Sequence, residues 1–197
     1  MSIGKAAILK SGDVKNVLKV IAGGNNPQRN KIIFLLSYLV GMRVHNIQKI
    51  QIKDVYDNNG KVFDKIVLTA EKNKGTGVAE YYLCDSMKKE LLEYYKWLKS
   101  FKLNLTDTDF LIYSKKSNKY LHKGSIVRLF RQIYDSCGLH MCRSHSGRRS
   151  YISQLCDKGV SIHIVSKLVN HQSIQTTFGY YQQNPTLLSN AVNILNF

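Results

Sequence analysis

The sequence predicts an α+β fold that is mostly helical, with a small antiparallel sheet and one β-hairpin. Three observations predict it. Apolar residues recur at helical spacing through most of the chain, whereas residues 61–84 read as two strand-like runs around a polar, glycine-containing turn. The two prolines, Pro27 and Pro185, each follow an asparagine, the pattern of a helix start. A length of 197 residues with 44% hydrophobic content suits one domain, 1–197, with a real core.

After an N-terminal extension of residues 1–10, a first helix is predicted from Ser11. It carries Val14, Val17, Leu18 and Ile21 at helical spacing, and Gly23 and Gly24 stop it. Asn26-Pro27 starts a second helix through the apolar run KIIFLLSYLVG, which Gly41 breaks. Arg43 then stands at the bend into a short helix, VHNIQKI. The strand runs KVFDKIVLTA and VAEYYLC flank EKNKGTG, a hairpin turn that holds Lys72 and Lys74. A helix from Asp85 to Ser100 aligns Leu91, Tyr94, Tyr95 and Leu98. A short strand, DFLIYS, precedes the polar turn KKSNK, and a helix near Ser125 follows with Ile126, Leu129, Phe130 and Ile133 as its stripe. Ser144 is the expected N-cap of a helix reaching Gly159, which puts His145 and Arg148 on one face of its first turn. A helix pair, SIHIVSKLVNH and SIQTTFGYYQQ, carries His171 and Tyr180. Asn184-Pro185 opens a terminal helix within 184–197.

Charge narrows the class of partner. Lys plus Arg number 29 against 13 Asp plus Glu, a formal net charge of +16. A folded domain with that excess repels itself unless a polyanion is present, and nucleic acid is the usual one. The basic residues run along the whole length, which favours a charged concave face over a tail. A solubilising surface or an anionic-membrane binder is the bland alternative. No secretory stretch opens the chain, and the longest apolar run, Ile32 to Met42, is far below the roughly 20 residues of a spanning helix. A cytoplasmic location and no membrane partner are therefore expected. Four irregularly spaced cysteines read as reduced thiols. Cys137, His140, Cys142 and His145 imitate a metal site, but their spacing matches no common zinc pattern and no metal is expected. Nor is there a Walker-type phosphate loop, and no cofactor is expected.

The chemistry lies in the last third: the His-x-x-Arg pair His145 and Arg148, then His171, then Tyr180. Arg43 and Lys74 complete the inventory. Such a set suits attack on a phosphodiester by a phenol in place of water. The anionic ester shields its phosphorus, so fixed positive donors must help the nucleophile past the oxygens. Arginine serves best, because its planar fork meets two oxygens and stays charged. Taken singly, each residue has a plainer reading: a packed tyrosine among 12, a surface ion pair for either arginine, a capping or packed histidine. Arg43 is the firmer of the arginines because it follows a buried-looking helix.

Together these residues resemble the catalytic domain of the tyrosine recombinase, or phage integrase, family. The resemblance runs from about Ser11 to Gln183. GMRVHNIQKI is similar to the family's first Arg box, HSGRRSY to its His-x-x-Arg box and VNHQSIQTTFGYY to its His-to-Tyr box. Their order, the lysine hairpin between the first two, and separations of 23 from Arg148 to His171 and nine from His171 to Tyr180 all fit. Three positions depart: Asn46 replaces a usual Glu and weakens the hydrogen bonding that orients Arg43, Asn170 replaces a usual Gly, and Arg149 stands where a second His is common. The chain also begins near the catalytic pattern, so it is expected to be either a fragment or one of the short members without an N-terminal core-binding domain.

The resemblance implies a DNA breaking-rejoining fold with the lysine on its hairpin, and a role for each residue. Tyr180 attacks phosphorus to form a 3′-phosphotyrosyl bond and a free 5′-hydroxyl, with Tyr181 as the rival phenol. Arg43 and Arg148 hold the non-bridging oxygens. His145 and His171 donate to the same phosphate and help move the phenol's proton. Lys74 protonates the leaving oxygen, with Lys72 as its alternative. His140 and Arg143 also form a His-x-x-Arg pair, five residues too early for the family's spacing. The implied function is site-specific recombination of double-stranded DNA, by integration, excision or inversion. The implied assembly is a homo-tetramer on two DNA sites, formed from DNA-free monomers by exchange of the terminal helix in trans, with accessory proteins as further partners. A type IB topoisomerase-like nicking-closing enzyme and a non-catalytic DNA-binding factor are the rival readings; an RNA-binding module is weaker, for want of an aromatic RNA-binding strand pattern.

Overall fold

In the computed structural model, residues 6–73, 77–102, 104–114, 119–181 and 193 are described. Helix α1 (Ser11–Ala22) starts where predicted: the backbone N–H of Lys10 donates to Asp13 Oδ2 at 2.8 Å. Val17 and Ile21 turn inward, and Gly23 closes the helix by donating to Lys19 O. Helix α2 (Pro27–Tyr38) has buried residues on every side, Ile32, Ile33, Phe34, Leu35, Leu36 and Ser37 among them. A helix buried all round belongs at the centre of a domain, and α2 touches α1 and the later helices over residues 85–101, 123–136 and 146–157. It stops at Tyr38, before Gly41, because Met42 N closes back onto Leu36 O at 3.0 Å. Gly41 turns the chain with φ +69, and the Tyr151 ring fills the space a Cβ would need.

Helix α3 (Val44–Ile47) follows, shorter than VHNIQKI, then a 3₁₀ turn over Ile52–Asp54. Strands β1 (Lys65–Leu68) and β2 (Ala79–Tyr82) pair antiparallel with Lys65 opposite Tyr82 and Leu68 opposite Ala79. Ile66, Leu68, Ala79 and Tyr81 are buried while Val67 and Tyr82 are exposed, the period-two pattern of a one-sided sheet. In α4 (Asp85–Phe101), Met87, Leu91, Tyr94 and Leu98 form the buried stripe; Tyr95 is only half-buried. The DFLIYS run pairs as β3 (Tyr113–Ser114) with β4 (Lys119–Tyr120) only at its end. Its centre, with Leu111 and Ile112 fully buried, bonds instead to the segment before the 3₁₀ turn, where Leu111 N donates to Ile50 O at 2.8 Å. Helix α5 (Lys123–Ser136) begins two residues before Ser125, because His122 Nδ1 accepts from Gly124 N.

Helices α6 (Ser146–Asp157), α7 (Ile162–Leu168) and α8 (Gln175–Tyr181) complete the fold. The predicted Ser144 cap is corrected: His145 takes the N-cap position without a side-chain cap bond, and Ser146 Oγ accepts from Arg143 N at 2.9 Å in the turn before the helix. Helix α6 faces two cores. Gly147 lies so close to α2 that a Cβ there would stand 2.6 Å from Ser37 Oγ. Ile152 and Cys156 join Val165 and Val169 in a smaller core against which Tyr180 packs. Helix α6 is thus clamped to the central helix on one side and packs toward Tyr180 of α8 on the other. Lys74 and the predicted terminal helix, apart from Asn193, lie outside the described residues. Among the described residues no helix is long and apolar enough to cross a membrane.

Candidate active site

Five of the six predicted residues line one cavity of about 520 Å³: Arg43, His145, Arg148, His171 and Tyr180. Ala6, Arg143, Arg149, Thr176 and Gly179 complete its wall, and no carboxylate is among them. The sixth residue, Lys74, lies outside the described residues.

The two guanidiniums are held by backbone carbonyls. Arg148, only 5% exposed, donates from Nη1 to Gly41 O and from Nη2 to Val169 O at 2.6 Å. It thereby joins the turn before Arg43 to the end of α7 before His171. Burial first, then the charge of Arg43, lowers its pKa to about 10, which leaves it protonated at neutral pH. Arg43, half-buried at the start of α3, donates from Nη1 to Asn170 O at 3.3 Å. Neither pairs with a carboxylate among the described residues. Two cations in one cavity, satisfied only by neutral acceptors, set up a positive potential that suits an anion.

That potential governs the imidazoles. His171 is half-buried, and desolvation followed by Arg148 and Arg43 pushes its pKa down to about 4. Its Nδ1 lies 2.7 Å from Thr177 Oγ1, a fully buried hydroxyl on α8, which leaves Nε2 for a ligand. His145 keeps solvent contact by surface area, yet protein crowds it enough that desolvation, then Arg148, Arg43 and Lys123, also lower its pKa. Both shifts favour the neutral ring at pH 7.

Tyr180 packs on the smaller core with the Arg149 guanidinium 5.5 Å from its ring centroid. Arg149 also donates to Ala6 O. Arg149 is not among the predicted site residues; its place directly after Arg148, at a position where the family commonly has a second His, is the signal for it. Of Tyr181 only the backbone is described. Lys72, the alternative to Lys74, is bound in a largely buried ion pair, Nζ to Asp54 Oδ2 at 2.5 Å.

The second His-x-x-Arg pair separates. His140 points to Asp135 at 3.4 Å on the surface, while Arg143 reaches the cavity wall and donates to His140 O and Cys142 O. Cys142 is buried in the main core, where desolvation raises its thiol pKa. Among the described residues no three His, Cys, Asp or Glu side chains gather as metal ligands. Asn46 turns its amide away from Arg43, consistent with the expected loss of hydrogen bonding there. Its Nδ2 donates to Tyr81 OH at 2.6 Å and Asn73 Oδ1 at 3.1 Å, so it serves the hairpin. Asn170 has φ +52, the left-handed region that glycine or asparagine tolerates, which explains the substitution there.

Comparison with known proteins agrees with this geometry. The phage integrase family pattern matches residues 8–186. The tyrosine recombinase XerA of Pyrococcus furiosus is 25% identical over 190 residues, covering 95% of this chain and 61% of that protein. A crystal structure of XerA recombinase superposes with a TM-score of 0.75 at 21% identity, over 96% of this chain and 65% of that one. XerH site-specific recombinase, bound to a palindromic difH substrate after cleavage, gives 0.74 at 20% identity, over 96% and 53%. The chain thus spans about three-fifths of the XerA relative and has the tyrosine recombinase catalytic fold. From the three boxes around one cavity, the shared fold and the matched pattern, the chain belongs to the phage integrase family.

Proposed function

We propose that the chain is a site-specific DNA recombinase whose nucleophile is Tyr180. The observation that carries this reading is the convergence of Arg43, Arg148, His145, His171 and Tyr180 on one carboxylate-free cavity. The phenolic oxygen attacks a scissile phosphorus, the O–P bond to Tyr180 forms and the P–O5′ bond breaks. Arg43 and Arg148 hold the non-bridging oxygens, where charge grows in the transition state. A neutral imidazole has one N–H donor and one lone pair. The two histidines can therefore donate to phosphate and accept the phenol's proton. Lys74 returns a proton to the departing 5′ oxygen; the Asp54 pair that engages Lys72 favours this choice. Rejoining is the reverse attack by a 5′-hydroxyl, and the phosphotyrosyl ester keeps the diester's energy, so no cofactor is called for.

Double-stranded DNA is the partner, and the +16 charge supports it. The protein is a monomer alone and assembles as a tetramer on two sites. The test is a pool of nicked suicide duplexes of random sequence, with covalent adducts isolated under denaturing conditions and their DNA sequenced. A shared motif among the adducts is expected. Adducts without any shared motif would mark a nicking-closing enzyme, and DNA retention without adducts a binding factor.

A further inference from the structure

We propose that Asn170 is a positioning residue that clasps the lysine hairpin to the phosphate-binding side of the cavity. The inference rests on the reading of Lys74 as the proton donor. Its geometric basis is a side chain matched to one residue's main chain on both counts. Asn170 Nδ2 donates to Glu80 O at 2.8 Å, and Glu80 N donates to Asn170 Oδ1 at 3.3 Å. Glu80 is in β2, the strand that follows Lys74 in the chain. An amide that meets both backbone groups of one residue acts as a rung of sheet ladder and fixes distance and orientation together.

The other side of Asn170 faces the phosphate-binding groups. Its backbone oxygen accepts from Arg43 Nη1, the preceding carbonyl of Val169 accepts from Arg148, and His171 follows. One residue therefore touches β2 through its side chain and the Arg43–His171 side through its main chain. A second anchor lies at the hairpin base, where Asn46 Nδ2 donates to Asn73 Oδ1 and Tyr81 OH. The left-handed backbone at φ +52 admits glycine, but glycine has no amide to close on β2. In this chain the clasp couples the group that would protonate the leaving oxygen to the groups that would hold the phosphate.

Asn170→Gly keeps the backbone conformation and removes only the clasp, so it separates positioning from folding. Cleavage rates of wild type, Asn170→Gly and Lys74→Ala are compared on a nicked duplex of the adduct-selected sequence and on its 5′-bridging phosphorothiolate counterpart. A thiol is far more acidic than an alcohol, so its thiolate departs without a proton donor. On the ordinary diester Asn170→Gly is expected to cleave on the order of tenfold more slowly than wild type, the scale of a small misplacement. On the phosphorothiolate both variants are expected within about twofold of wild type, since the step they impair no longer needs a proton. Asn170→Gly that matches wild type on the diester overturns the proposal, as does Asn170→Gly that stays slow on the phosphorothiolate while Lys74→Ala recovers; in both results the recombinase reading survives. Lys74→Ala that stays slow on both substrates removes Lys74 as the acid, and absence of any wild-type adduct removes the recombinase reading; either takes the clasp's role with it.

Discussion

Arg148 Nη2 donates to the carbonyl oxygen of Val169 at 2.6 Å, two residues before His171. With Nη1 on Gly41 O, this single guanidinium braces the segments that lead into Arg43 and His171. A lysine places one point charge where the fork reaches two acceptors. Arg148→Lys is therefore expected to lower adduct formation by at least about a hundredfold. It also leaves a buried carbonyl without its donor, which costs about 1–3 kcal/mol of stability. Adduct yield on a suicide duplex and a urea melt check the two parts.

The depressed histidines make the free protein acid-sensitive. His171, at about 4 in the folded state against 6.5 for an unperturbed ring, binds its proton more readily when the chain is unfolded. Between those values the unfolded state binds more protons, so stability is fullest above pH 6.5 and falls as pH drops toward 4. His145 shifts in the same direction. A phosphate in the cavity opposes the arginine field and should raise the His171 titration midpoint. NMR of the His171 ring with and without a short duplex checks this, and an unchanged midpoint would place the phosphate elsewhere.

Gly147 is where α6 meets α2, and a methyl there would stand 2.6 Å from Ser37 Oγ. Gly147→Ala is expected to destabilise the protein by about 1–3 kcal/mol through overpacking. Because α6 carries Arg148, cleavage should fall as well. Combining it with Ser37→Gly removes the clashing hydroxyl and should recover part of the urea midpoint.

Arg149 lies over the Tyr180 ring at 5.5 Å. Contacts of this kind are worth about 0.5–2 kcal/mol. Arg149→Ala should then reduce adduct formation by about three- to thirtyfold, with Arg149→Lys between it and wild type. An Arg149→Ala protein of full activity would leave the contact without a role.

Local signals were legible because they act over a few residues. Ser11, Asn26-Pro27 and Gly23 mark helix ends through their own backbone preferences, and α1 and α2 begin where those residues put them. The three boxes were legible as an ordered set, and the five candidate site residues they hold share the cavity. Long-range partners were not. Nothing in HSGRRSY says that Arg148 will bond to the carbonyls of Gly41 and Val169, or that Arg149 will reach both Ala6 and Tyr180. The loss of a Glu beside Arg43 is legible at Asn46, but nothing local says that its amide turns to Tyr81 and Asn73 across the fold. The Ser144 cap failed for a smaller reason: the helix starts two residues later at Ser146, whose buried hydroxyl accepts from Arg143 N in the preceding turn.

The most direct measurement compares wild type, Tyr180→Phe and Tyr181→Phe on the adduct-selected suicide duplex, resolved on a denaturing gel. Wild type and Tyr181→Phe are predicted to form a covalent protein–DNA band, and Tyr180→Phe none. A band that persists in Tyr180→Phe and vanishes in Tyr181→Phe would contradict the account.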